Sequence, residues 1–415
     1  MLYGMTDLLD EVIKRYLHSG DFNGLYVDAE TLDRPVASKL VEDGLVEVVA
    51  EEDFINPHIR PWPSRRSIES QVASIDRLND ETYGLCLYPK AQALKAVRTP
   101  KRYAHQPFSQ AMAKGRGTLE LAYFRFDVLE QYRNDPRFLF KFEDFGADAT
   151  IGDEAFLDDE ESEEDKTGLQ HVGFAYDLSG YDPNDADSPI IRRVCVFYGD
   201  LAKLTPTHQQ RWKTYQVDET GLHPHPVWMT QQMGHWPDGF GPFERLLFEM
   251  ACLNELHERA FGKPLLRTTD RPRDFGWILR PSQHEWDTFI QQLDKLLSEN
   301  LSHDALDLRG VPRKDDVGQN IGSLNRLAAL LSSRGVSESA VKDVLKPLRD
   351  VRQARQRPAH ALRANITDKT FVHKQVVLIE RVTESLFMLR RFWQTHPKNH
   401  DWESRYGEPE TQYRM

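Results

Sequence analysis

The residues best equipped for chemistry in this 415-residue chain crowd into one stretch, Val351 to Asn365, which reads VRQARQRPAHALRAN. Arginines 352, 355, 357 and 363 surround a single histidine, His360. An imidazole titrates near neutrality and can take the proton of a 2′-hydroxyl, while a guanidinium binds a phosphate and stabilises charge growing on its oxygens. Together they suit metal-free cleavage of a phosphodiester. At 100° per residue, Arg349, Arg352, Gln356, His360 and Arg363 share one side of a helix, and Leu348, Val351, Ala354 and Leu362 tend toward the other. Pro358 removes a backbone donor and kinks such a helix, turning Arg355, five residues before His360, toward it. The competing reading is a solvated basic face near a helix C-terminus, where Arg and His complement the dipole.

Helices must hold this stretch in place. RKDDVGQNIGSLNRLAALLSS sets Val317, Ile321, Leu324, Leu327, Ala328 and Leu331 on one face. SESAVKDVLKPLRDVRQARQ continues with Val341, Val344, Leu345, Leu348 and Val351, and DKTFVHKQVVLIERVTESLFMLRRFW carries Val372, Val376, Ile379, Val382, Leu386, Leu389 and Trp393. Helices of this length with short Gly, Pro and Asn connections predict an antiparallel bundle. The spacing leaves Leu386, Leu389 and Trp393 open as bundle core or as a subunit interface.

The segment RQRPAH, Arg355 to His360, resembles the R-x4-6-H motif of HEPN domains, α-helical bundles of prokaryotic toxins and antiviral ribonucleases. The surrounding LRDVRQARQRPAHALRAN and the long helix after it look like the closing half of such a bundle, over about residues 305 to 400. The resemblance implies a homodimer in which Arg355 and His360 are the catalytic pair; Arg352, Gln356 and Arg363, on the polar side of the projected helix, are the expected RNA-binding residues. Two positions depart from the usual pattern: Gln356 follows the arginine, and Pro358 lies inside the motif. Family members without cleavage activity serve as dimerisation or RNA-binding modules, which is the alternative function. Stretches such as LCLYPKAQAL and RWKTYQV resemble uncharacterised prokaryotic proteins that end in HEPN-like bundles.

Upstream, TDLLDEVIKRYLH spaces Leu8, Leu9, Val12, Ile13, Tyr16 and Leu17 as one helix, stopped by SGDFNG. A second helix runs through TLDRPVASKLVEDG into the alternating LVEVV, which looks like the end of a winged-helix unit. The presumed recognition helix offers Arg34 and Lys39 against Asp33, Glu42 and Asp43, a poor balance for DNA. TLELAYFRF and RRVCVFYGDL read as strands, and the helices GPFERLLFEMACLNELHERAFG and PSQHEWDTFIQQLDKLLSEN as core-facing, the second opening on the capping box Ser282 and Glu285. The expected architecture is α+β and multidomain. It comprises a winged-helix-like unit at 1–63, a mixed α/β region at 64–304, a HEPN-like all-α bundle at 305–400 and a tail at 401–415. The run 153–168, DEAFLDDEESEEDKTG, is too charged to bury, and predicts a solvated loop or an anionic strip masking the basic bundle.

Charge supports that partition. Residues 310 to 400 hold 17 Lys plus Arg against 8 Asp plus Glu, a balance of +9, so a net charge of −12 leaves −21 elsewhere. An acidic body joined to a basic module excludes a protein coated all over for nucleic acid. No apolar run approaches the roughly 18 residues of a membrane span, and the N-terminus is acidic, so a cytoplasmic location is expected. Cys86, Cys195 and Cys252 stand far apart and predict reduced thiols. His223, His225 and His235 lack a clear ligand set, and neither a phosphate-binding loop nor a nucleophile elbow is present, so no metal or cofactor is expected. The predicted partners are RNA, a second copy of the chain and a protein or phage-derived trigger.

Overall fold

The computed structural model describes residues 2–50, 53, 56–79, 84–180, 182, 185, 188, 190–218, 220–236, 238–356, 364–405, 407 and 413. They form a mixed α/β structure with antiparallel sheets. In the helix Leu2–His18 the 3.6-residue period buries Val12, Ile13, Tyr16 and Leu17. Helix Arg34–Glu42 starts where the Asp33 side chain accepts from the Val36 amide. Strands β1 (Leu25–Val27), β2 (Val46–Val49) and β3 (Leu85–Pro89) pair antiparallel in the order β1-β3-β2. The middle strand comes last in the chain, and helix Ile68–Arg77 packs against helix Arg34–Glu42 and β2, so the boundary expected at residue 63 falls inside this unit. Arg34 donates to the Asp76 and Leu78 carbonyls, and Lys39 pairs with Asp43 at 2.8 Å, so both cations of the presumed recognition helix are engaged.

Buried Arg60 ties this unit to the segment leading into the large sheet. It pairs with Glu47 at 2.9 Å and donates to the Gly115 and Arg116 carbonyls, while the Tyr16 hydroxyl donates to the Met112 carbonyl. The large sheet comprises β4 (Leu121–Arg125), β5 (Phe138–Phe142), β6 (Gly146–Ile151), β7 (Gly168–Asp177), β8 (Ile191–Phe197), β9 (Gln216–Val217) and β10 (His223–Pro224). Its order is β5-β6-β7-β8-β4-β9, with β10 also on β7. The two strands legible in the sequence, β4 and β8, are neighbours. Alternation sends Phe124, Phe174, Val194 and Val196 into the main core and Tyr123, Cys195 and Phe197 to the opposite face, against Trp228.

The acidic run contains a short helix, Asp153–Leu157, and then docks on the central region. Arg137 pairs with Glu161 at 2.5 Å, and Thr205 donates to the Glu164 carbonyl.

Helices Pro242–Phe261 and Thr370–Gln394 pack together around a buried Arg390–Glu249 pair at 2.7 Å. Helix Glu338–Gln356 packs between Gln283–Leu296, Ser323–Ser333 and Thr370–Gln394. Two helices upstream of residue 305 therefore belong to the helical layer, and one apolar core runs from Ile13 to Trp393. Leu386, Leu389 and Trp393 are buried within this core, which settles their packing as internal. Among the described residues no helix is long and apolar enough to cross a membrane, and Cys86, Cys195 and Cys252 are buried free thiols.

Candidate functional site

Helix Glu338–Gln356 turns Val341, Leu345, Leu348 and Val351 into the core, which leaves Arg349, Arg352, Gln353 and Gln356 on its open side. The helical spacing thus delivers Arg349, Arg352 and Gln356 to one surface, as the projection predicts. His360, Arg363 and Pro358 lie outside the described residues.

Arg355 does not project freely from this surface. Its guanidinium donates to Asp294 at 2.7 Å and also to Glu299, leaving the side chain 29% exposed. Asp294 is fully buried at the C-terminal end of helix Gln283–Leu296 and also accepts from Arg352 at 3.2 Å and from the Ser298 hydroxyl. A buried carboxylate requires such partners, because an unpaired charge in a low-dielectric interior is costly. The Arg355 hydrogen bond holds the Glu299 carboxyl below its ordinary range, despite the opposing effect of burial. Two arginines facing two carboxylates make a locally neutral cluster.

Beside this cluster opens a groove. One hollow of about 480 Å³ is lined by Arg267, Ser298, Glu299, His303, Arg313 and Arg352, among others. A second, of about 270 Å³, adds Asn325, Arg349, Gln353 and Gln356 and shares Ser298, Gly322, Ser323 and Arg352 with the first. Arg313 is paired with Asp304 and Asp307. Among the described residues Arg267 and Arg349 have no side-chain hydrogen-bond or ion-pair partner. Unpartnered guanidiniums flanking serine and glutamine side chains can take up phosphate oxygens.

Below the groove, Arg326 is wholly buried and pins the 303–312 segment. It pairs with Asp307 and donates to the Val311 and Pro312 carbonyls and to His303 Nδ1 at 2.8 Å. Since a guanidinium only donates, Nδ1 must accept, and the neutral imidazole of exposed His303 carries its proton on Nε2. Asp307, bonded to Arg313 and Arg326, has its carboxyl pushed down to about 2.

Sequence reasoning missed Asp294, Glu299, Arg267, His303 and Arg326. The capping box is also half formed: Ser282 accepts from the Glu285 amide, but Glu285 turns to Arg133, at 2.6 and 2.9 Å. His225 stacks on Phe145 with centroids 3.6 Å apart. Among the described residues no group of three or more His, Cys, Asp or Glu is arranged to hold a metal ion. None of the residues lining the groove comes from the acidic run.

No protein-family model, curated protein or solved structure matches this chain.

Proposed function

We propose that the chain is a HEPN-type, metal-independent RNA endonuclease that acts as a homodimer in the cytoplasm. The observation that carries this reading is the groove along the last turns of helix Glu338–Gln356, where Arg349, Arg352 and Gln356 face Arg267 and Ser323. In this reading RNA runs along the groove with Arg352, Gln356 and Arg363 on its phosphates. His360 takes the 2′-hydroxyl proton, and Arg355 stabilises the charge that develops. The helical layer is then a HEPN-like bundle, and the first three-stranded unit is winged-helix-like. The upstream regions restrain cleavage until a protein or phage-derived trigger binds, as in antiviral defence or toxin-mediated growth arrest.

Cleavage by the activated full chain is expected to survive EDTA and to leave a 2′,3′-cyclic phosphate. His360→Ala and Arg355→Ala are each expected to slow it by about 10²-fold or more. RNA binding by the full chain should weaken with salt at a log–log slope of about −2 to −3, for three to four phosphate contacts on a single strand. Cleavage equally fast in both variants would end the catalytic reading.

A second reading, a non-catalytic dimerisation or RNA-binding module, is favoured by one observation: both charges available to Arg355 in the cluster are carboxylates, which already occupy its guanidinium. It predicts salt-sensitive binding without cleavage, and light scattering tests the dimer that both readings require.

A further inference from the structure

A second cationic hollow, with a lining separate from that of the groove along helix Glu338–Gln356, lies between the large sheet, the segment entering helix Gln283–Leu296 and the start of helix Thr370–Gln394. It holds about 260 Å³ and is lined by Arg125, Arg193, Arg280 and Lys369 over an apolar floor that includes Phe126 and Val372. Against it lies Arg192 of β8, only 4% exposed, whose guanidinium sits 4.0 Å from the Phe126 ring centroid and 4.8 Å from that of Trp277. One nitrogen donates to the Ile278 carbonyl at 2.6 Å, while the buried Nε and Nη1 have no acceptor among the described residues. The hydroxyl of Tyr176, which stands opposite Arg192 in the β7–β8 register, is likewise buried with no partner among the described residues.

Burial lowers the Arg192 pKa to about 10, so it still carries its charge at neutral pH. A cation in this position ordinarily has a carboxylate beside it. Among the described residues none pairs with Arg192. Asp127, the carboxylate that lines the hollow, is shared between Arg125 at 3.3 Å and Arg280 at 3.5 Å, and Arg280 is held more closely by Glu130 at 2.7 Å, which leaves Arg192, Arg193 and Lys369 without an ion-pair partner among the described residues. Among the described residues Lys369 has no partner, and Arg193 donates to the Arg192 carbonyl and feels the Asp127 and Asp177 carboxylates without forming an ion pair with either. Positive charge thus exceeds negative around a hollow whose floor suits an apolar or planar body.

We propose that this hollow binds a small organic phosphate of mononucleotide size, with the phosphate between Arg192, Arg193 and Lys369 and the organic body on Phe126, Ile278 and Val372. Guanidinium and ammonium donors supply charge-assisted hydrogen bonds, and the apolar floor supplies the remaining affinity. The site is independent of the groove along helix Glu338–Gln356 and of the ribonuclease reading. Its rim also touches the stretch after the motif: the Asp368 amide donates to the Pro281 carbonyl at 2.8 Å, and the Gln283 amide to the Ile366 carbonyl at 2.9 Å. A ligand bridging Lys369 and β8 would therefore fasten that stretch to the sheet.

Calorimetric titration of the full chain with AMP, adenosine and inorganic phosphate tests the site. AMP should saturate with a Kd of about 10–100 μM, and both adenosine and phosphate should bind at least about tenfold more weakly. Lys369→Glu, at an exposed position, should weaken AMP at least about tenfold, and Arg192→Met, which keeps an apolar body between the two rings, by at least as much. No saturable AMP binding, adenosine as tight as AMP, phosphate as tight as AMP, or full affinity in Lys369→Glu would each overturn the proposal. If Arg192→Met does not fold, Lys369→Glu decides alone.

Discussion

Arg355 bridges Asp294 and Glu299, so a substitution there removes a partner from a fully buried carboxylate as well as a group from the proposed catalytic pair. An arginine near the end of a polar helix face is ordinarily at the surface, where its removal leaves a bundle intact. The buried Asp294 changes that expectation for Arg355. In Arg355→Ala, Asp294 retains Arg352 and the Ser298 hydroxyl, so the cost should be about 1–2 kcal/mol. Asp294→Ala leaves two guanidiniums that can turn to water but also opens a polar void, and should cost about 1–3 kcal/mol. Urea unfolding measures both, and an Arg355→Ala midpoint identical to wild type would show that the bridge contributes nothing. Stability must accordingly be read beside cleavage before any loss is assigned to the chemical step. Helical spacing alone is enough to bring Arg349, Arg352 and Gln356 together, because neighbours on a helix are set by a local period. Asp294 and Glu299 sit 61 and 56 residues before Arg355, and many other acidic residues would have satisfied the same charge rule.

Long helices are readable because each repeats its apolar stripe over several turns, and their ends follow from single residues. Gly262 takes φ 78°, the left-handed cap expected of it after helix Pro242–Phe261. The other end of that helix is not readable. Its N-cap, Gly241, has no side chain to accept a hydrogen bond, and Asp144, from the turn between β5 and β6, accepts instead from the Phe243 and Glu244 amides, each at 3.0 Å. Burial, reinforced by the charge of Glu244, pushes the Asp144 carboxyl from 3.8 up to about 7, outweighing these amides and Arg271. A folded-state value above the unfolded one favours the protonated folded protein. The stability this contributes is complete below about pH 4 and is lost as pH rises through 7. Asp144→Asn cannot ionise, so its stability relative to wild type should rise across that window by on the order of 2–4 kcal/mol. Urea midpoints of both proteins at pH 4, 5.5 and 8 check this, and a difference that does not vary with pH would refute it. Strands β9 and β10, two residues each, escape sequence reading because so short a run carries no alternation.

Composition separates a basic stretch from an acidic body, yet packing joins them. Charge is counted along the chain, whereas a core is decided by which apolar faces meet. The face of helix Thr370–Gln394 holding Ile379, Leu386 and Leu389 packs in a core shared with Leu246, Met250 and Leu253, and Arg390 finds its carboxylate on Glu249 of the same upstream helix. Asp294, which holds Arg352 and Arg355, also lies upstream of residue 305. Excising residues 305–400 would uncover the long apolar stripe of the last helix, orphan Arg390 in an apolar setting and remove the anchor of the arginine cluster. Each of these is a recognised route to a large loss of stability, and together they exceed what a segment of about 100 residues ordinarily has in reserve. The fragment 305–400 is therefore expected to melt without a cooperative transition and to bind a hydrophobic dye at 25 °C, whereas the full chain should unfold cooperatively through its shared core. Calorimetry and dye fluorescence on the two samples decide the matter. A sharp endotherm from the fragment would mean that the bundle closes without helices Pro242–Phe261 and Gln283–Leu296. Failure of the fragment would place any comparison of basic module and acidic body inside the intact chain, by reversing charges at Arg267 and Arg349, whose side chains lie on the groove and hold no described partner.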